Sequence, residues 1–246
     1  MDEKDNIKRH YELTDETIEF DGHTLHRIVC TESFRNVLKG TYGGFIEGYK
    51  NLKGNGWVCG NAKVYNGAVV SGNGIVSENA TICNKARVFG NATVRGNAYI
   101  SGRYVDIYGN ALVSENATIR GICDIEGIAN IGGEAVIDSS KALHINNGFI
   151  FGDAVINSCS DYITFKNWWS SGRSFTWTRS NDMWSVGCFY GTGKELIAKA
   201  YKDSEVSGRE YERVVKYVES IKKADKPTIF QRLKKLFFTI YDLCVN

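Results

Sequence analysis

Proline is almost absent from this chain, with one residue in 246 against 26 glycines. Ordinary loops use both residues, whereas closely spaced corners with positive backbone φ angles call for glycine and asparagine. The composition therefore predicts many similar tight corners rather than a few long loops.

Paired cysteines, long apolar runs and an excess of charge are also missing. The seven cysteines are odd in number, scattered and never spaced C-x-x-C, which predicts a reduced, cytoplasmic protein without a disulfide framework. No apolar run reaches membrane-spanning length, and the charged start MDEKDNIKRH does not resemble a signal peptide. The net charge of +2 gives no global reason to expect nucleic acid or membrane as a partner.

A six-residue repeat dominates the middle of the chain. Aliphatic residues recur at every sixth position from Ile46 to Ile100, and after one inserted residue near Tyr104 they resume from Ile107 to Ile137. A small residue stands two positions before most of these sixteen aliphatic residues. A period of six does not fit a helical face, but it fits a short strand with two inward side chains followed by a turn. Such strands bury their apolar edges only by stacking.

Asparagines indicate how many hexads form one coil. Two sets recur every 18 residues, apart from the insertion: Asn55, Asn73, Asn91 and Asn110, and Asn61, Asn79, Asn97 and Asn116. Asparagine tolerates left-handed backbone angles and can hydrogen-bond to its copies above and below. We therefore predict a mainly β protein, a three-sided parallel β-helix of about 18 residues per coil. The word SENATI, at 77–82 and again at 114–119, is then one corner and one strand met two coils apart.

Hexads of the small-x-aliphatic type, three to a coil, resemble the hexapeptide-repeat proteins. More narrowly, the segments YELTDETIEFDGHTLHRI, GGFIEGYKNLKGNGWVCGNAKVY and WTRSNDMWSVGCFYGT resemble a group of bacteriophage and gut-bacterial proteins labelled transferases from the repeat alone. The resemblance covers about residues 11–220. It implies a left-handed β-helix, and trimers as a common form of assembly.

Composition divides the chain into four predicted parts. Residues 1–43 form an N-terminal cap with a β-hairpin that turns at Asp21-Gly22, and residues 44–156 form the β-helix, whose hexads slip after residue 138. Residues 157–192 form an aromatic β cap.

The fourth part, residues 193–246, has a helical period. One helix is predicted from Gly193 to Asp203, a second from Ser207 to Lys223, and a third after Pro227. In the cap before them, a turn is predicted at Asn181-Asp182.

Only one histidine, His144, lies inside the repeat. In hexapeptide-repeat acyltransferases a histidine acts as general base, so the resemblance makes His144 the base if the protein is an enzyme. No second histidine in the repeat supports a metal, and the sequence predicts neither a metal site nor a cofactor.

One outward column of the β-helix is markedly apolar. It consists of Trp57, Ile75, Thr93 and Leu112, and we call it the apolar column. A solvated sheet does not require such residues, which predicts contact with another chain. That chain is either a second copy or a foreign protein.

Two further surfaces are candidates for binding. The aromatic cap offers a stacking platform for a nucleotide or nucleic acid, although aromatic residues at this density more often form a small core; its residues are Trp168, Trp169, Arg173, Trp177 and Arg179. The C-terminal segment combines an apolar stripe with a basic set, namely Lys222, Lys223, Lys226, Arg232, Lys234 and Lys235. This pattern is typical of a helix that meets a membrane surface or an acidic partner, or that packs on the β-helix or between subunits.

The sequence favours a non-enzymatic binding scaffold over an enzyme. Because the resemblance is to phage and mobile-element proteins, the expected partner is a host macromolecule in the bacterial cytoplasm, for example a defence component. The alternatives are an acyltransferase with His144 as base and a sponge for nucleotides or nucleic acid.

Overall fold

The structure is a computed structural model that describes residues 9–224, which divide into two compact units. The larger unit contains residues 9–168 and 172–191, and the smaller contains residues 169–171 and 192–224. The larger unit confirms the predicted architecture, a parallel β-helix with an antiparallel hairpin at one end and a small antiparallel sheet at the other. The predicted third helix lies outside the described residues. Among the described residues, no helix is long and apolar enough to cross a membrane.

Three walls of in-register parallel strands form the β-helix. Wall 1 contains β3 (Tyr42–Ile46), β5 (Lys63–Val64), β8 (Thr81–Cys83), the first halves of β11 (Tyr99–Ile107), β13 (Thr118–Glu126) and β15 (Val136–Asn146), and β17 (Val155–Ile156). Wall 2 contains β6 (Val69–Val70), β9 (Arg87–Val88) and the second halves of β11, β13 and β15. Wall 3 contains β4 (Trp57–Val58), β7 (Ile75–Val76), β10 (Thr93–Val94), β12 (Leu112–Val113), β14 (Asn130–Ile131) and β16 (Phe149–Ile150).

The interior is filled by the columns that the hexads predicted. All sixteen aliphatic residues of the repeat are at most 2% exposed. Each coil also donates backbone hydrogen bonds to the next, as from Trp57 to the carbonyl of Gly74 at 3.0 Å and from Ile75 to the carbonyl of Ala92 at 2.9 Å. Burial of one valine or isoleucine contributes about 1.5–3 kcal/mol, so the stacked columns are the main source of stability.

Asparagine ladders run along two corners of the β-helix, as predicted. The Asn73 side-chain amide donates to Asn91 at 3.0 Å, and that of Asn79 donates to Asn97 at 3.1 Å. The expectation that these asparagines hold the left-handed backbone angles is wrong. The positive φ angles lie one residue earlier, for example at Gly72 before Asn73 and at Glu78 before Asn79.

The corner after wall 3 explains why SENATI returns after two coils. The Glu78 carboxylate accepts a hydrogen bond from the backbone N–H of Gly96 at 2.9 Å, and the Glu115 carboxylate accepts one from Gly133 at 2.5 Å. A Cβ atom on Gly96 would lie 2.6 Å from the backbone nitrogen of Glu115, which is too close. Glutamate and glycine alternate along this corner from Gly60 to Gly133.

Both insertions into the regular coil fall on the corner between walls 1 and 2. Cys83 pairs with Ser101 and Arg87 pairs with Asp106, so β11 carries one additional residue, as predicted near Tyr104. Along β13 and β15, Gly121 pairs with Ser139 but Cys123 pairs with Leu143. These pairs leave two additional residues in β15, which account for the predicted slip after residue 138. We call residues 102–104, 120–122 and 139–142 the 1–2 edge.

A β-hairpin closes the first coil. Its strands are β1 (Tyr11–Phe20) and β2 (His23–Cys30), and it turns at Asp21-Gly22, where both φ angles are positive as the predicted hairpin requires. Strand β2 pairs antiparallel with β3. The Tyr11 hydroxyl donates to the carbonyl of Leu52 at 2.9 Å, and burial raises the pKa of Tyr11 to about 12.

A four-stranded antiparallel sheet covers the last coil. Its strands are β18 (Tyr162–Lys166), β19 (Ser174–Thr178), β20 (Met183–Val186) and β21 (Phe189–Thr192). Backbone N–H groups of the last coil have no further coil to donate to, and side chains of the sheet and of its β19–β20 turn accept their hydrogen bonds. The Thr176 hydroxyl accepts from Phe149 at 2.9 Å, and the Ser180 hydroxyl accepts from Val155 at 2.7 Å.

The smaller unit consists of α1 (Gly193–Asp203) and α2 (Glu205–Ala224). Helix α1 has the predicted bounds, and α2 begins two residues before the predicted Ser207. Thr192 and Glu195 form a capping box at the start of α1, and the hydrogen bonds from Thr192 lower the pKa of the Glu195 carboxyl.

Gly121→Ala is expected to destabilise the β-helix strongly. Its φ of +87° costs an alanine about 1–2 kcal/mol, and the new Cβ would also collide with the carbonyl oxygen of Ser139. Gly172→Ala is the matched control, since Gly172 has a φ of +68° but nothing within 4 Å of an added Cβ. Denaturant unfolding should show that Gly121→Ala loses at least twice as much unfolding free energy as Gly172→Ala. Equal losses would contradict the close stacking of this edge.

Candidate functional site

Wall 3 is the least charged outer surface of the β-helix. In each strand, the positions on either side of the inward aliphatic residue face outward. Over six strands these twelve positions are Trp57, Cys59, Ile75, Ser77, Thr93, Arg95, Leu112, Ser114, Asn130, Gly132, Phe149 and Phe151. Arg95 is the one charged residue among them. The apolar column predicted from sequence is thus one half of a wider uncharged wall.

The structure places the apolar column in register but covers its first member. Trp57 pairs with Ile75, Ile75 with Thr93, and Thr93 with Leu112. Trp57 is only 5% exposed, because the ring of Phe34 packs edge-on against it at 5.7 Å. Trp57 is therefore a structural residue, which corrects its assignment to the contact surface. The column that remains begins at Ile75.

Wall 2 carries a column of ionisable side chains, namely Arg87, Asp106, Asp124 and His144. The Arg87 guanidinium forms a two-point ion pair with Asp106, and this hydrogen bond raises the pKa of Arg87. The next two members, Asp124 and His144, are paired through Nδ1 of the histidine at 2.9 Å. Asp106 and Asp124 are neighbours in adjacent strands.

His144, the predicted base of the enzyme alternative, thus has a carboxylate that could orient it. A carboxylate partner is what a general base needs to be held in position. The side chain is, however, 62% exposed to solvent on an open wall. Sequence reasoning missed the partner because the two inserted residues place His144 twenty positions after Asp124 instead of eighteen.

A stacked aromatic pair lies beside this column and was also missed. The rings of Phe89 and Tyr108 are 4.9 Å apart and nearly parallel. The Tyr108 hydroxyl hydrogen-bonds to Glu126, which raises the pKa of Tyr108 to about 12. Their spacing of nineteen residues, one coil plus the insertion, was the available signal.

The candidate stacking residues of the aromatic cap divide into core and surface. Trp177 is fully buried and its indole N–H donates to Asp182 at 2.9 Å. Arg179 lies 5.4 Å from the Trp177 ring and donates to the carbonyl of Ser160. Trp168 is 72% exposed, and Arg173 is exposed as well. The indole of Trp169 belongs to the smaller unit, where it packs against Tyr211 at 4.9 Å.

The basic set of the C-terminal segment is only partly described. Lys222 and Lys223 lie in the last turn of α2, and Lys222 pairs with Glu219 at 2.8 Å. The remaining members, Lys226, Arg232, Lys234 and Lys235, lie outside the described residues.

Within residues 9–224, no group of three or more histidine, cysteine, aspartate or glutamate side chains could hold a metal ion. No protein-family model and no curated protein sequence matches this chain. The functional assignment therefore depends on the chemistry of the walls and edges.

Trp177→Ala is expected to cost about 3–5 kcal/mol of unfolding free energy, because it empties the core of the cap. Trp168→Ala, at an exposed position, should change stability by less than about 1 kcal/mol. Denaturant unfolding monitored by circular dichroism measures both. A small effect at Trp177 would contradict the core role and restore this residue as a binding candidate.

Proposed function

We propose that this protein is a non-enzymatic scaffold that binds another protein through wall 3. The observation that carries the proposal is that Arg95 is the one charged residue among the nine outward positions of that wall that are not buried, since Trp57, Ser114 and Gly132 are buried. Interface cores are depleted of charged residues, whereas an antiparallel or solvated sheet usually alternates apolar with polar side chains.

The stiffness of wall 3 supports the same function. Its six strands are joined in register by backbone hydrogen bonds, and at about 4.8 Å between strands it is roughly 25 Å long. A surface that is already ordered loses little conformational entropy when a partner binds. Phe149 and Phe151, with Ile75 and Leu112, provide the large apolar side chains.

The partner is proposed from the sequence resemblance. The repeat resembles the left-handed hexapeptide-repeat proteins, and the flanking segments resemble proteins of phages and gut bacteria. A host macromolecule of the bacterial cytoplasm, such as a defence component, is the proposed partner, and self-association into a trimer is the simpler form of the same contact. Catalysis by His144 has less support because this side chain lies on an open wall.

Leu112→Glu is expected to abolish the contact without unfolding the protein. It places a carboxylate at the centre of wall 3, where a bound apolar surface would have to desolvate it. If the partner is a second copy, light scattering should show a smaller assembly for the variant than for the parent. If it is a host protein, cross-linking in a bacterial lysate should recover that protein with the parent but not with the variant.

Thr118→Glu is the matched control, because Thr118 is outward in the same coil but on wall 1. Both variants should unfold within a few degrees of the parent protein. If mass and partner recovery remain unchanged in Leu112→Glu, wall 3 is not the contact surface.

A further inference from the structure

The 1–2 edge is the place where the repeat departs from its rule. Two earlier corners between walls 1 and 2, in line with this edge, are closed by the short turns Asn66-Gly67 and Asn84-Lys85, which shows that eighteen residues suffice here. The next coils nonetheless carry insertions of one and two residues, both at this edge. In repeat proteins, insertions collect on one side, and this is often the side that binds.

The inserted residues are held rigidly. A Cβ atom on Gly102 would lie 3.2 Å from the carbonyl oxygen of Gly121, and Gly121 in turn stacks directly on the backbone of Ser139. The Ser139 side chain is buried and its hydroxyl donates to the carbonyl of Lys141 at 2.6 Å. These close contacts restrain the backbone of the edge, so the side chains that it displays start from fixed backbone positions.

Cationic and aromatic side chains are what the edge displays. Tyr104 is 57% exposed, and the exposed guanidinium of Arg103 lies 5.5 Å from its ring. Arg120 in the next strand is half exposed and pairs loosely with Asp138 at 3.4 Å, and Lys141 is exposed in the strand after that. Three cations therefore stand along the edge against one carboxylate, together with a tyrosine. Arginine and tyrosine are the residues most often found to dominate binding energy at interfaces.

We propose that the 1–2 edge is a docking site for an acidic segment of a partner protein. This extends the binding function proposed above and uses a surface separate from wall 3. Charge favours a protein over a nucleic acid: wall 2 beside the edge carries Asp106 and Asp124. These carboxylates would repel a nucleic acid whose backbone continued from the edge across wall 2. A protein can place acidic residues on the edge and other residues against wall 2.

The test measures binding of fluorescein-labelled poly-glutamate to the full chain by fluorescence anisotropy, with a peptide of about five residues, short enough to lie along the edge without crossing wall 2. The double variant Arg103→Ala with Lys141→Ala should weaken this binding about tenfold. Lys85→Ala removes a cation from a regular corner between the same two walls, outside the 1–2 edge, and should leave this binding unchanged. Binding by the parent protein should also weaken as salt is raised.

Deletion of Arg103 provides a second variant. It restores the eighteen-residue coil, so the protein should unfold at or above the temperature of the parent, yet the affinity for poly-glutamate should fall. Leu112→Glu should bind poly-glutamate as the parent does, which separates this site from the wall 3 contact.

Three results would overturn the proposal. The first is no binding of poly-glutamate by the parent protein. The second is that Lys85→Ala loses as much affinity for poly-glutamate as the double variant, or that the double variant loses none. Either outcome would mean that poly-glutamate is held by general charge attraction or by the basic C-terminal residues. The third is tighter binding of single-stranded oligothymidine than of poly-glutamate, which would make the edge a nucleic-acid surface.

Discussion

The structure depends on coil-to-coil stacking in register. Each short strand is too small to be stable alone, and it gains its backbone hydrogen bonds and its apolar neighbours only from the coils above and below. The same register fixes the inward side chains: a small residue and a branched aliphatic one fit the narrow interior, as the buried Ala92 and Val94 illustrate. It also leaves unpaired backbone groups at each end. At one end the Tyr11 hydroxyl donates a hydrogen bond to the carbonyl of Leu52, and at the other the Thr176 hydroxyl accepts one from the N–H of Phe149.

Stacking leaves the outer walls free to differ in chemistry. Wall 3 is almost uncharged, wall 2 carries the pairs Arg87–Asp106 and Asp124–His144, and the edge between walls 1 and 2 carries the insertions. The paired side chains of wall 2 and the cations of the edge lie outside the buried core. The proposed binding function follows from this division, in which the interior provides rigidity and the exterior provides specificity.

Most of the fold could be predicted from sequence, because the repeat is a local and periodic signal. The column from Ile46 to Ile137, the hairpin turn at Asp21-Gly22 and the bounds of α1 are of this kind. Contacts between distant segments could not be predicted. Phe34 covers Trp57, and Asp124 orients His144 only because two inserted residues shift the register. Spacing also could not show which residue of each corner has the positive φ angle. The asparagine and the residue before it recur with the same period, and it is the residue before it that has the positive φ.

Cysteine cross-linking tests the stacking most directly. Asn73 and Asn91 are eighteen residues apart but occupy adjacent coils, with their side-chain amides 3.0 Å from each other. The double variant Asn73→Cys with Asn91→Cys should form a disulfide on mild oxidation, because adjacent strands lie about 4.8 Å apart and disulfides span Cα distances of about 4.4–6.8 Å. Asn73→Cys with Lys85→Cys, closer in sequence but on a different corner, should not. Peptide mapping by mass spectrometry distinguishes the two, and a disulfide in the second pair but not in the first would contradict the three-sided coil.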